Sequence, residues 1–91
     1  MMNWETHRKI LMKDPQVRKA WEKTRLEYEI ARALIKARIE RGLTQADIAK
    51  RMHTKQSVIS RVENARTIPS LAFLKRLAEV LNASLQVQFK L

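Results

Sequence analysis

From Ile30 to Leu81 apolar side chains return every three or four residues, a spacing that commits most of the chain to amphipathic helices packed on one another. Ile30, Leu34 and Ala37 form one stripe, with Ala31, Ile35 and Arg38 beside it, over a helix predicted from Glu27 to Arg41. Gly42 stops that helix as a residue free to turn left-handed. Thr44 is the next N-cap, with Asp47 three residues on as the acidic half of a capping box. The helix that follows, Gln45 to Met52, buries Ile48, Ala49 and Met52. Thr54 caps a further helix from Lys55 to Glu63, with Ile59 and Val62 inward. Ile68-Pro69-Ser70 is a loop that delivers Ser70 as an N-cap for Leu71 to Leu81, where Leu74, Leu77, Ala78 and Leu81 repeat the spacing and Asn82 closes the helix. A single glycine and two prolines leave little of the punctuation that an all-β fold needs.

Upstream, Asp14-Pro15 reads as an N-cap followed by a proline at the first helical position, and predicts a separate helix from Pro15 to about Arg25 with Val17, Ala20 and Trp21 on one side. Downstream the period changes. Leu85, Val87, Phe89 and Leu91 alternate with Ser84, Gln86, Gln88 and Lys90, which is the pattern of a half-buried strand. The expected fold is therefore all-α, a bundle of four or five helices, plus one C-terminal strand that pairs with its twin in a dimer or with a partner. The chain divides into an N-terminal helical segment (1–27), a helical domain (28–82) and the strand (83–91).

Charge points to partners. The formal net charge is +10, from 19 Lys and Arg against 9 Asp and Glu, and such an excess attracts polyanions. The first residues show no apolar leader, and no apolar run reaches membrane-spanning length, so a cytoplasmic location is expected, on the nucleoid when DNA is bound. Nucleic acid is then the polyanion, not a membrane. Without cysteine there is neither a disulfide framework nor a thiolate zinc site, and His7 and His53 are too far apart in sequence to suggest a metal pair. No cofactor, metal or small-molecule substrate is implied. An enzyme is not expected, because Ser57 and Ser60 have no histidine nearby except His53, and no pair of carboxylates faces a cleft.

Residues 44–64, TQADIAKRMHTKQSVISRVEN, carry the function. Two short helices joined by a tight turn present the second to a groove, and small Ala49 suits the point where they cross. The outward side of the second helix carries Lys55, Gln56, Ser57, Ser60, Arg61 and Asn64, side chains that read base edges or bond phosphates, with no acid among them. Gln45 offers its amide to a phosphate, and Thr54 at the turn completes the DNA-facing set with Arg66 beyond it. GLTQADIAKRM, KQSVISRVEN and PSLAFLKRLAEVL resemble the Cro/C1-type helix-turn-helix family, also called Xre, over roughly Tyr28 to Leu81. That resemblance implies a lambda-repressor-like bundle that binds operator DNA as a homodimer. It implies Gln45 on the DNA backbone, Lys55, Gln56, Ser57 and Arg61 in the major groove, and Asn64 and Arg66 on phosphates. It also implies a structural ion pair between Arg38 and Glu63. The chain departs from the family at His53 and Ala65, where glycine is usual.

The flanks, MNWETHRKILMKDPQVRKAW and SLQVQFKL, resemble those of HigA-like antitoxins. On that resemblance the chain is a transcriptional autorepressor that also neutralises a RelE/HigB-like mRNA-cleaving toxin. Trp4, Ile10 and Leu11 in the leading segment and Leu85, Val87 and Phe89 in the tail are its candidate partner-binding residues, since the core does not need them. A stand-alone repressor of phage or restriction-control type is the alternative. A protein-interaction module that has lost DNA binding is a third reading, and the acid-free recognition face argues against it.

Overall fold

The computed structural model describes residues 13–91, apart from the side chains of residues 20–23. Trp4, Ile10 and Leu11 lie outside the described residues, as does the side chain of Trp21. Four helices follow one another: α1 (Pro15–Glu40), α2 (Gln45–Arg51), α3 (Gln56–Glu63) and α4 (Leu71–Val80). The described part of the chain is all-α.

The helix starts follow side-chain chemistry. Asp14 caps α1 by accepting from the backbone N–H of Gln16 at 2.9 Å, and Pro15 opens the first turn, where its missing N–H costs nothing. Thr44 and Asp47 form a reciprocal capping box on α2, with bonds of 3.0 and 2.9 Å. Ser70 Oγ accepts from Phe73 N–H at 3.1 Å on α4. α3 differs from expectation. Its N-cap is Lys55, not Thr54, and no side chain bonds its first turn; Thr54 belongs to the preceding turn, where its N–H donates to Ala49 O.

All four helices end alike. The residue after each C-cap is left-handed: Gly42 (φ 66°), His53 (φ 54°), Ala65 (φ 57°) and Asn82 (φ 51°). In every case its N–H and the next one reach back to the last turn, as in Leu43 to Arg38 O and Ala83 to Ala78 O. This is the Schellman arrangement, which satisfies carbonyls that a helix end otherwise leaves bare. Only one of the four positions is glycine.

Two expectations need correcting. Pro15–Arg25 and Glu27–Arg41 are not separate helices, because α1 runs through Leu26 without a break. No glycine or proline stands there to stop it, and Arg25 Nε donates to Glu29 Oε1 at 2.9 Å across the supposed gap. The second correction concerns the tail. No strand occurs among the described residues, and 83–91 run as irregular chain with Val87 68% and Phe89 90% exposed. Period-2 alternation selects a face, but a strand exists only when its N–H and C=O groups pair with a neighbour. No backbone hydrogen bond is made from Ser84 onward among the described residues.

The core lies where the helices converge: Leu34 from α1, Ile48 and Ala49 from α2 with Met52 at its C-cap, Ile59 and Val62 from α3, and Leu77 from α4 with Leu81 at its C-cap. Ile48 and Ile59 are fully buried. Ala49 sits in this cluster, where its small side chain lets α2 and α3 approach closely. The N-terminal half of α1 extends past the core, leaving Leu26 exposed.

Candidate nucleic-acid interface

The helix-turn-helix is α2, the turn at Met52–Lys55, and α3. Burial of Ile59 and Val62 fixes which side of α3 faces in, and so fixes the opposite side outward. Gln56, Ser57 and Arg61 are exposed on that outward side, Lys55 is exposed at its head, and Asn64 is exposed at its C-cap. Ser57, Arg61 and Asn64 are spaced four and three residues apart, so they share one stripe. Ser60 is half-buried and its hydroxyl accepts from Asn64 Nδ2 at 3.3 Å, which steadies the amide. Gln45, the first residue of α2, and Thr54 in the turn are both half-buried. Arg66 is exposed beyond α3, with its N–H held by Arg61 O at 3.1 Å.

Two arginines, Arg38 on the last turn of α1 and Arg41 at its C-cap, hold this arrangement. Arg38 donates from Nε to Glu63 Oε2 at 2.8 Å and from Nη2 to Oε1 at 3.0 Å, a bidentate pair on the end of α3. Its Nη1 donates to Leu43 O at 3.0 Å, so the same guanidinium ties α3 to the segment that leads into α2. The Glu63 side chain is only 5% exposed, and Arg38 is its counter-charge. Arg41, one turn on, donates from Nε to Leu81 O at 2.8 Å and from Nη2 to Asn82 O at 3.1 Å, closing the C-terminus of α4. Sequence reasoning did not single out Arg41. The available signal was a basic residue at the very end of a helix, and that does not reveal that the carbonyls it finds lie forty residues away.

Charge is segregated around the motif. Between Thr44 and Ala78 stand seven cations and two carboxylates, Asp47 and Glu63. Both carboxylates are bonded within the protein, one in the capping box and one to Arg38. The Thr44 backbone N–H holds the Asp47 carboxyl below its usual range, with the Thr44 hydroxyl and the charges of Arg51 and Lys50 adding to the effect. Within residues 44–78 cations therefore outnumber acids, and each of the two acids already has a partner in the fold.

Of the partner-binding candidates, Leu85 and Val87 lie beside α4, whereas Phe89 stands out in solvent. Among the described residues no group of His, Cys, Asp and Glu could hold a metal ion, and no helix is long and apolar enough to cross a membrane.

The family model described as helix-turn-helix matches residues 34–88. Among curated proteins, the chain is 32% identical over 62 residues to multiprotein-bridging factor 1c of Arabidopsis thaliana, covering 68% of this chain and 42% of that protein. It is 34% identical over 62 residues to multiprotein-bridging factor 1 of Eremothecium gossypii, and 31% identical over 62 residues to that of Saccharomyces cerevisiae, covering in each case 68% of this chain and 41% of the relative. The chain therefore spans less than half the length of these relatives. No solved structure matches at a significant level. These findings overturn the HigA-like reading and with it the RelE/HigB-like toxin, since the relatives are bridging factors and not antitoxins. The flank likeness rested partly on a closing strand that the tail does not form. The relatives are named for bridging and not for a reaction. What remains is the Cro/C1-type core of the resemblance, and on the match across residues 34–88 the chain belongs to the helix-turn-helix family.

Proposed function

We propose that the chain is the DNA-binding helix-turn-helix module of a transcriptional bridging factor, with α3 in the major groove of duplex DNA while another face of the bundle holds a protein. One observation carries the DNA half: the outward side of α3 is exposed, polar and cationic, and of the two nearby carboxylates Glu63 is paired with Arg38 and Asp47 is held in the α2 capping box. Lys55, Gln56, Ser57 and Arg61 read base edges, and Gln45, Thr54, Asn64 and Arg66 bond the phosphate backbone. Ser60 acts through Asn64, whose amide it holds. The bridging half is supported by the likeness to multiprotein-bridging factors over 62 residues.

The test is capture of the chain on immobilised duplex DNA from cells that express it, followed by cross-linking. The proposal requires cross-links from α3 to DNA and from a different face to a protein in the same complex. Complexes in which α3 itself touches the protein and nothing touches DNA contradict it.

A further inference from the structure

On the side of α4 turned away from the core, Leu71, Lys75 and Ala78 form one stripe, spaced four and three residues apart. The tail returns alongside it, and Ala83, Leu85 and Val87 complete the second wall of a shallow groove. The tail's departure is fixed by Asn82 in its left-handed conformation and by Arg41, whose guanidinium holds Leu81 O and Asn82 O. The groove is apolar and open: Leu71 is 59% exposed and Val87 68%. The core does not use it, because α4 turns Leu77 inward on its other side and Leu81 follows at the C-cap. Contiguous exposed apolar surface with charge beside it is the mark of an interaction site.

Charge decides what fills it. Lys75 and Glu79 both line the groove, one helical turn apart, yet form no ion pair with each other. At a formal net charge of +10, two copies of the chain repel, whereas a negatively charged partner is drawn in. We infer that this groove docks an acidic amphipathic segment of the bridged protein, its apolar side against Leu71, Leu85 and Val87 and a carboxylate on Lys75. Glu79 then sets register, repelling any acid placed one turn further along. The inference rests on the bridging reading, since it names the face that the second protein takes.

The experiment titrates the full chain, followed by backbone amide shifts, with two short synthetic peptides that share one Leu/Phe stripe. One carries Glu at its polar positions and the other Lys. The acidic peptide is expected to shift Leu71, Lys75, Leu85 and Val87 and to bind about tenfold more tightly than the basic one. Lys75→Gln lowers that affinity about three- to tenfold, Glu79→Gln raises it, and Val87→Asp abolishes it, while duplex-DNA binding by all three stays near wild type. Val87 lies in the irregular tail, so its replacement leaves the bundle folded, as circular dichroism will show. Shifts confined to α3, equal binding of the two peptides, or no binding overturn the inference. So does a concentration-dependent shift of the groove residues without peptide, weakened by either charge change, which marks a second copy as the occupant. If cross-linking yields a DNA–chain–protein complex whose protein contacts avoid the groove, this inference fails and the bridging reading stands. If no such complex forms, the bridging reading itself fails.

Discussion

Three left-handed residues that are not glycine carry a local cost. An L-residue with a Cβ in that conformation is disfavoured by roughly 1–2 kcal/mol, less for Asn, and glycine removes most of that at the expense of a freer unfolded chain. Ala65→Gly and His53→Gly are therefore each expected to stabilise the fold by about 0.5–1 kcal/mol, read as a rise in the urea midpoint at unchanged slope. Arg38 is the opposite case. Arg38→Met strands the Glu63 carboxylate where it is almost fully enclosed, and unfolding should become easier by about 3 kcal/mol; adding Glu63→Leu should restore much of that loss. Asp47 supplies a pH signature. Its folded pKa lies below the unfolded value, so its contribution is complete above the unfolded value and disappears as pH falls through the folded one. A carbon-detected titration should find its midpoint lower than that of a free aspartate, and Thr44→Ala should move it back up.

At the level of elements, the starts of α1, α2 and α4 and the ends of α1 and α4 were legible because each has a chemical signal in the sequence. Asp14-Pro15, Thr44 with Asp47, Ser70, Gly42 and Asn82 all stand where a cap needs them. The errors arose where no such signal exists. The run from Trp21 to Tyr28 carries neither glycine nor proline, and a helix end was read near Arg25 where nothing stops one. The tail has the alternation of a strand but no neighbour to pair with, and pairing is a property of two segments that one segment cannot reveal. From Ser84 onward the backbone N–H groups make no hydrogen bond among the described residues, so the amides of Leu85, Val87 and Phe89 are expected to exchange with solvent far faster than those of Ile59 and Val62 in α3. Ile59→Ala, a large-to-small change at a fully buried site, should cost about 2–5 kcal/mol.

For the molecule as a whole, function follows from how the fold divides its charge. The outward side of α3 could be read from sequence, because Ile59 and Val62 mark its inner side and leave Lys55, Gln56, Ser57 and Arg61 the other. The closing of α4 by Arg41 could not, since it joins residues forty apart through backbone carbonyls that have no sequence signature. The reading of the flanks failed for a related reason: likeness of arrangement was taken for likeness of partner, and the relatives are bridging factors. The central claim is that α3 and the loop after it hold duplex DNA, and the most direct measurement is DNA affinity across a salt series for the wild type, Arg61→Ala and Arg66→Ala. The account predicts a linear fall of log K with log salt. Arg66→Ala should weaken all sequences alike and reduce the slope by about 1, whereas Arg61→Ala should remove about 1–3 kcal/mol on the preferred site and relax its selectivity. Affinities and slopes in both variants indistinguishable from wild type would contradict it.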